Sequence, residues 1–202
     1  VLRLNAYILL FDAVAMLLPI FVALYYQETA GFAFLPAMLL SLVIAIPVLL
    51  FCKPKNKDLY AREGLVTVSV AWIVMSFIGA LPFFFSREIP NLIDCFFEVV
   101  SGFTTTGATI LTDVEALSSC LLFWRSFTHW IGGMGVLVFL LAIIPMSGGS
   151  HINLMRAESP GPSVGKIVPK IKHTARILYL IYIALTFMQF VLLLFGKMPV
   201  FE

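Results

Sequence analysis

Charge is what this 202-residue sequence has least of: Asp, Glu, Lys and Arg make up 12% of it, against 61% hydrophobic residues. That leaves too little polar side chain to cover a soluble globule of this length, so a soluble domain is excluded first and a bilayer is expected. The net charge of +2 sits in short loops rather than on a basic stripe, which excludes nucleic-acid binding. Cysteine is scarce too. Cys52, Cys95 and Cys120 form no CxxC pair and have no histidine cluster beside them, so neither a structural zinc site nor a redox motif is expected. Packing is their expected role, and a Cys95–Cys120 disulfide stays open because both fall on the outer side in the topology below. His151 and His173 stand apart at no ligand spacing. No nucleophile motif surrounds Ser101 or the threonines that follow it, so an intramembrane enzyme using one of them with His129 is weighed and set aside.

What the sequence has in abundance is long apolar runs. A membrane-crossing helix needs roughly 20 mostly apolar residues to pass about 30 Å of hydrocarbon. Five runs come close: Leu4 to Tyr26, Phe32 to Cys52, Leu65 to Phe85, Leu121 to Met146, and Ile177 to Phe195. Pro19, Pro36, Pro47 and Pro82 lie in or near them, where neighbouring helices can satisfy the freed backbone. The first run is too long for a signal-peptide core and lacks a small-x-small cleavage site, so it reads as a retained helix. The start at Val1 and the stop at Glu202 just beyond an apolar run suggest part of a longer chain.

Loop charge sets the orientation. Lys53, Lys55, Lys57 and Arg62 follow the second run, and Arg156, Lys166, Lys170, Lys172 and Arg176 follow the fourth, which places both loops and the amino terminus in the cytoplasm. The opposite loops carry Glu28, Glu88, Asp94, Glu98, Asp113 and Glu115. Tyr25, Tyr26, Trp124 and Trp130 fall near the expected interfaces and read as anchors.

The connection from Ser86 to Cys120 is too long for a turn and holds an apolar piece, Leu92 to Phe103, too short to span. Asn91 with Asp94 three residues on resembles a capping box, so a re-entrant half-helix is expected from near Asn91 to near Phe103. Its carboxyl end would point partial negative charge toward the membrane centre, where a cation is favoured. Thr104 to Thr109 follow, offering hydroxyls and main-chain carbonyls, with Gly107 free to take backbone angles a side chain forbids. Alone, this Thr/Gly stretch reads equally well as a plain external loop. The order span, capped half-helix, Thr-Thr-Gly stretch, span favours a pore loop.

Three segments carry a resemblance to the Trk/Ktr/HKT superfamily of potassium transporters, and to its TrkH-type bacterial members in particular. They are Phe96-Phe-Glu-Val-Val-Ser-Gly-Phe-Thr-Thr-Thr-Gly-Ala-Thr109, Trp124-Arg through Trp130-Ile-Gly-Gly-Met-Gly135, and Arg156-Ala-Glu-Ser-Pro-Gly-Pro162. The resemblance implies an all-α polytopic membrane protein of the bacterial cytoplasmic (inner) membrane. Residues 1–62 would be two leading helices, 63–146 the first helix, pore loop, helix unit, 147–176 a cytoplasmic loop, and 177–202 the first helix of a second unit. It implies potassium uptake through a filter of four such loops, of which this chain supplies the first. The potassium filter would be Thr104, Thr105, Thr106, Gly107, Ala108 and Thr109, strongest at the central four, with the glycine tied to potassium over sodium. Potassium is then the transported ion, with no organic cofactor in this chain. A homodimer and a cytosolic nucleotide-binding regulatory ring are the implied partners. A tetrameric cation channel and a non-transporting scaffold remain alternatives, and symport and channel-like flux are both open.

Outside the filter, Asp94, Glu98 and Asp113, with Glu115, are candidates for an acidic vestibule that concentrates cations. Glu98, on the half-helix itself, is also a candidate to brace the filter loop. Ile131-Gly-Gly-Met-Gly135 has no preceding strand and reads as helix packing, with Thr128 and Gly132 as a small-xxx-small pair admitting another backbone or the back of the pore loop. Arg125 and His129, one turn apart, are placed either to meet the acidic residues or to snorkel. Asp12, the one carboxylate well inside a run, is expected to bond a neighbouring helix or to be held neutral. The basic loop 147–176 suits anionic lipid or a regulatory ring equally.

Overall fold

The structure is a computed structural model. It describes residues 2–52, 61–133, 135 and 171–196, with side chains described outside 61–64 and 171–175. Its elements are α1 (Leu2–Ala15), α2 (Leu17–Tyr26), a 3-10 turn at Thr29–Ala33, α3 (Phe34–Phe51), α4 (Ala61–Ser86), α5 (Leu92–Phe103), α6 (Ser119–Gly133) and α7 (Ile171–Phe195). The described residues are mostly helical and hold no strand. Among the described residues four stretches are long and apolar enough to cross a membrane: Leu2–Tyr26, Thr29–Phe51, Leu65–Ser86 and Arg176–Phe195.

Proline shapes the first of these. Pro19 has no N–H for the Ala15 carbonyl, and α1 gives way to α2 at Met16. Pro47 and Pro82 lie inside α3 and α4 without ending them. Gln27 closes α2 in the left-handed region (φ 56°), and the chain doubles back so closely that a Cβ on Gly31 would overlap Ala23.

Apolar side chains are buried where the helices meet and exposed where nothing covers them, as lipid-facing helices require. Met16, Phe34, Met75, Ile78, Phe83, Phe103, Leu121 and Trp124 form the shared core of α1 to α6. The two leading helices are part of that core. α1 packs on α3 and α4, and α2 packs on α6.

Two expectations change. The fourth apolar run was expected as one helix from Leu121 to Met146, but α6 closes at Gly133. There the Gly135 N–H returns to the Gly132 carbonyl (2.9 Å) with Gly135 at φ 63°, a conformation open chiefly to glycine. Residues 134 and 136–170, and with them most of the loop expected at 147–176, lie outside the described residues. Trp124 is not an interface anchor. It is wholly buried, donates its indole N–H to the Gly79 carbonyl at 2.9 Å, and meets Phe34 edge to face. Trp130 is half-buried against α7, its carbonyl accepting from the Tyr182 hydroxyl at 3.0 Å.

Candidate functional site

The site is built on α5. Asn91 starts it as expected: its side-chain oxygen accepts the Ile93 N–H at 3.0 Å, satisfying a donor that the first turn cannot. Twelve residues make a helix about 18 Å long, too short to cross the hydrocarbon. Cys95, Val99 and Phe103 fall on one face and are buried, beside the polar Glu98 and Ser101.

At its carboxyl end α5 closes in a Schellman arrangement. The Thr106 N–H bonds the Ser101 carbonyl (3.0 Å) and the Thr105 N–H the Gly102 carbonyl (2.9 Å). The left-handed position this motif demands is filled by Thr105 (φ 55°), a β-branched residue where glycine or asparagine is usual. The chain then runs irregularly and exposed from Thr104 to Ile110, with Gly107 also left-handed at φ 74°. Among the described residues, none donates a hydrogen bond to the carbonyls of Thr105, Thr106 or Gly107.

The back of the stretch is tied down. Ser101 donates its hydroxyl to the Ala108 carbonyl at 2.6 Å. Thr109 donates to Glu98 and accepts the Leu111 N–H at 3.1 Å. The Thr104 hydroxyl reaches both the Val100 carbonyl (2.7 Å) and the Thr106 hydroxyl (2.8 Å). Glu98 is wholly buried and pairs with Arg125 of α6 at 3.7 Å. Glu98 meets the loop through the Thr109 side chain and, among the described residues, accepts from no backbone N–H of it.

The other candidates are placed differently. Asp94 sits half-buried in the first turn of α5. Asp113 is exposed and accepts the Glu115 N–H at 3.1 Å, a local turn. Neither joins Glu98. His129 meets the Arg125 carbonyl through Nδ1 at 2.9 Å, while the Ser101 hydroxyl is engaged by Ala108, so no Ser–His pair forms among the described residues. Cys95 and Cys120 are buried free thiols, not a disulfide. The small residues of α6 do admit the half-helix: Gly102 faces Thr128, and a Cβ on Gly132 would overlap the Phe103 carbonyl.

Glu28 was read as an ordinary loop acid. It reaches α6 instead, its two oxygens accepting the Ser119 N–H (2.8 Å) and the Cys120 N–H (2.9 Å), while Glu88 accepts from Ser118 (2.8 Å). Two carboxylates therefore cap the positive end of α6. Partial burial of Glu28 works against its charge, but these bonds to Ser119 and Cys120 outweigh it and hold its pKa below the ordinary value. A lowered pKa stabilises the fold above the ordinary glutamate range, and that contribution is lost as pH falls through the folded value. Glu28→Gln is expected to cost about 1 kcal/mol at neutral pH. It should also flatten the acid limb of a thermal-stability profile. An unchanged acid limb in the variant would refute the assignment.

Residues 31–199 match the TrkH family, described as cation transport protein. The chain is 43% identical over 190 residues to the Trk system potassium uptake protein TrkH of Salmonella typhimurium, covering 93% of this chain and 39% of that protein. It is 34% identical over 177 residues to an uncharacterized cation transporter of Methanocaldococcus jannaschii, covering 88% of this chain and 36% of that one. The crystal structure of the potassium transporter TrkH from Vibrio parahaemolyticus superposes on all of this chain and 40% of its own, at TM-score 0.80 and 31% identity. The chain thus spans about two fifths of the length of these relatives.

Proposed function

The chain belongs to the TrkH family of cation transport proteins, and from that premise we propose that it takes part in potassium uptake across the bacterial cytoplasmic membrane, with Thr104 to Thr109 as the first of four filter loops. The observation that supports this most is the set of carbonyls of the exposed residues Thr105, Thr106 and Gly107, which no donor among the described residues reaches, at the carboxyl end of a half-helix. Carbonyls in that state can replace an ion's hydration shell, and the helix end adds partial negative charge. Irregular backbone at such depth is tolerated where it lines a watery path.

In this reading Ser101 and Glu98 hold the loop from behind, so that its carbonyls face the ion instead of collapsing onto α5. Asp94 and Asp113 are left to a weaker role, drawing cations toward the outer mouth. Residues 1–62 form the leading pair, 63–146 the first unit, 147–176 a cytoplasmic loop, and 177–202 the opening of a second unit. The amino terminus is cytoplasmic. A homodimer and a cytosolic nucleotide-binding ring complete the proposed assembly.

The test is rubidium uptake by a bacterium lacking its own potassium uptake and making the full-length protein, wild type beside Ser101→Ala. Loss of one hydrogen bond at a buried hydroxyl is worth about 1 kcal/mol, and 1.4 kcal/mol is tenfold. Uptake is expected to fall about fivefold to tenfold with the protein still in the membrane. Uptake at the wild-type rate would remove this loop from the path.

A further inference from the structure

The start of α6 is held from elsewhere in the chain. The Ser118 carbonyl accepts the Leu122 N–H (2.9 Å), so Ser118 occupies the cap position, where serine usually serves its own helix. The donors there go to distant carboxylates instead: Ser118 N–H to Glu88, and Ser119 and Cys120 N–H to Glu28, partners 30, 91 and 92 residues away. Each glutamate is delivered by a turn with a left-handed residue just before it, Gln27 (φ 56°) before Glu28 and Arg87 (φ 64°) before Glu88. The Glu28 N–H returns to the Ala23 carbonyl (2.9 Å) and the Arg87 N–H to the Phe84 carbonyl (3.2 Å), which pins both turns where they present the carboxylates. Among the described residues the one other non-glycine residue with positive φ is Thr105, in the proposed filter stretch. Left-handed backbone is costly for a residue with a Cβ, and positions held there gather at functional sites.

Given the filter reading of Thr104 to Thr109, we infer that Glu28 and Glu88 are positioning residues for it: they fix the outer end of α6, and α6 sets both ends of the stretch, so that the leading helix pair takes part in ion selection.

α6 bears on the stretch at two places. Toward its carboxyl end Gly132 lies against the main chain of Phe103, the residue before the stretch, with no room for a Cβ, and Thr128 lies against Gly102. Nearer its start Arg125 pairs with Glu98 at 3.7 Å, and Glu98 accepts the hydroxyl of Thr109, the last residue of the stretch. Arg125 is six residues from Ser119, about 9 Å along a stiff helix, so a displacement of the capped end carries Arg125 with it. Glu98 is wholly buried, and a close-packed interior passes such a shift on instead of absorbing it.

The leading pair touches α6 at a second level. α2 packs on α6, and Phe34, the first residue of α3, meets Trp124 edge to face with ring centroids 6.0 Å apart. Trp124 adjoins Arg125 in sequence, and its indole is fixed to the Gly79 carbonyl of α4. Phe34 and Gly79 therefore limit rotation of α6, while the two carboxylates limit its sliding. The Ser118 hydroxyl or outside water could satisfy the same donors, so the stability of α6 alone does not require two left-handed turns.

Rubidium and sodium fluxes test this, measured per amount of full-length protein in the membrane of a bacterium lacking its own potassium uptake. The variants are Glu28→Gln, Glu88→Gln, Thr109→Val and the double variant Glu28→Gln with Thr109→Val, with Ser101→Ala alongside. Charge at a helix N-terminus is worth a few-fold, so Glu28→Gln is expected to lower the preference for rubidium over sodium about threefold and Glu88→Gln about twofold. Thr109→Val cuts the line at its last link and leaves the Glu98–Arg125 pair in place. The double variant is expected to lose less than the product of the two single losses, because both act through Thr109. A full product would overturn the inference by showing that Glu28 acts elsewhere. Wild-type preference in both glutamate variants, whatever their membrane level or melting temperature, would overturn it in favour of plain caps. If Glu28→Gln does not accumulate, Glu88→Gln alone decides. Ser101→Ala separates the two readings: lowered uptake there beside unchanged preference in the glutamate variants would strike the positioning role alone, whereas wild-type fluxes throughout would remove the filter reading and the positioning role with it.

Discussion

Gly107→Ser is expected to leave the protein in the membrane at its normal level and to lower the preference for rubidium over sodium about tenfold, measured as parallel fluxes in cells making the full-length protein. A Cβ placed on Gly107 meets no atom within 4 Å, so the substitution does not clash. The cost lies in the backbone. Gly107 sits at φ 74°, where an L side chain costs roughly 1–2 kcal/mol. Gly107 lies exposed between positions tethered at Thr106 and Ala108, and returning its φ to negative values would swing the adjoining peptide planes. In the proposed filter, the carbonyls of Thr106 and Gly107 would then leave the positions that match the ion. A shift of 1.4 kcal/mol between two ions is tenfold in selectivity. Gly107→Ala should behave like Gly107→Ser, because the cause is the backbone angle and not the hydroxyl. If serine alters selectivity and alanine does not, the hydroxyl is the cause and this account is wrong. If neither changes the fluxes, the stretch is outside the ion path.

Much of this region was legible from local sequence. Asn91 as a cap, Phe103 as the end of the half-helix and Gly107 as a residue of special backbone angle each follow from a few neighbouring residues. Thr105 did not. A β-branched residue at φ 55° contradicts local preference, and it is held there by the two main-chain bonds that close α5 and by its own hydroxyl, which donates to the Thr104 carbonyl at 2.7 Å. Glu28 was equally hidden, because the N–H groups it caps lie 91 and 92 residues further along the chain. Nothing near Glu28 marks it as different from a solvated loop acid. Trp124 was misplaced because hydropathy reports how near a residue lies to a span's end and not which helix covers it. The cover is α4, whose Gly79 carbonyl accepts the indole N–H. The fourth apolar run misled for a related reason: its composition is continuous across Gly132, Gly133 and Gly135, while the main chain turns there.

The same glycines set up the second large effect, in which Gly132→Leu abolishes accumulation of the protein in the membrane without changing ion preference in any fraction that survives. A Cβ on Gly132 would overlap the carbonyl and main chain of Phe103. Main-chain atoms cannot rotate aside as a side chain does, so α6 would have to lift away from the end of α5. That movement would strain the Schellman closure and the Glu98–Arg125 pair, both of which depend on the two helices lying close. Overpacking a core usually costs about 1–3 kcal/mol, and more where backbone must move. Gly132→Ala should therefore already be strongly destabilising. Gly79→Ala provides the contrast: its nearest neighbour would be a Val99 methyl at 3.0 Å, which can give way, and the expected loss is about 1 kcal/mol. Membrane levels and melting temperatures of the three variants should rank Gly79→Ala, Gly132→Ala, Gly132→Leu from most to least stable. A Gly132→Leu protein that assembles normally and carries a different ion would show that this glycine acts in the ion path and not in packing.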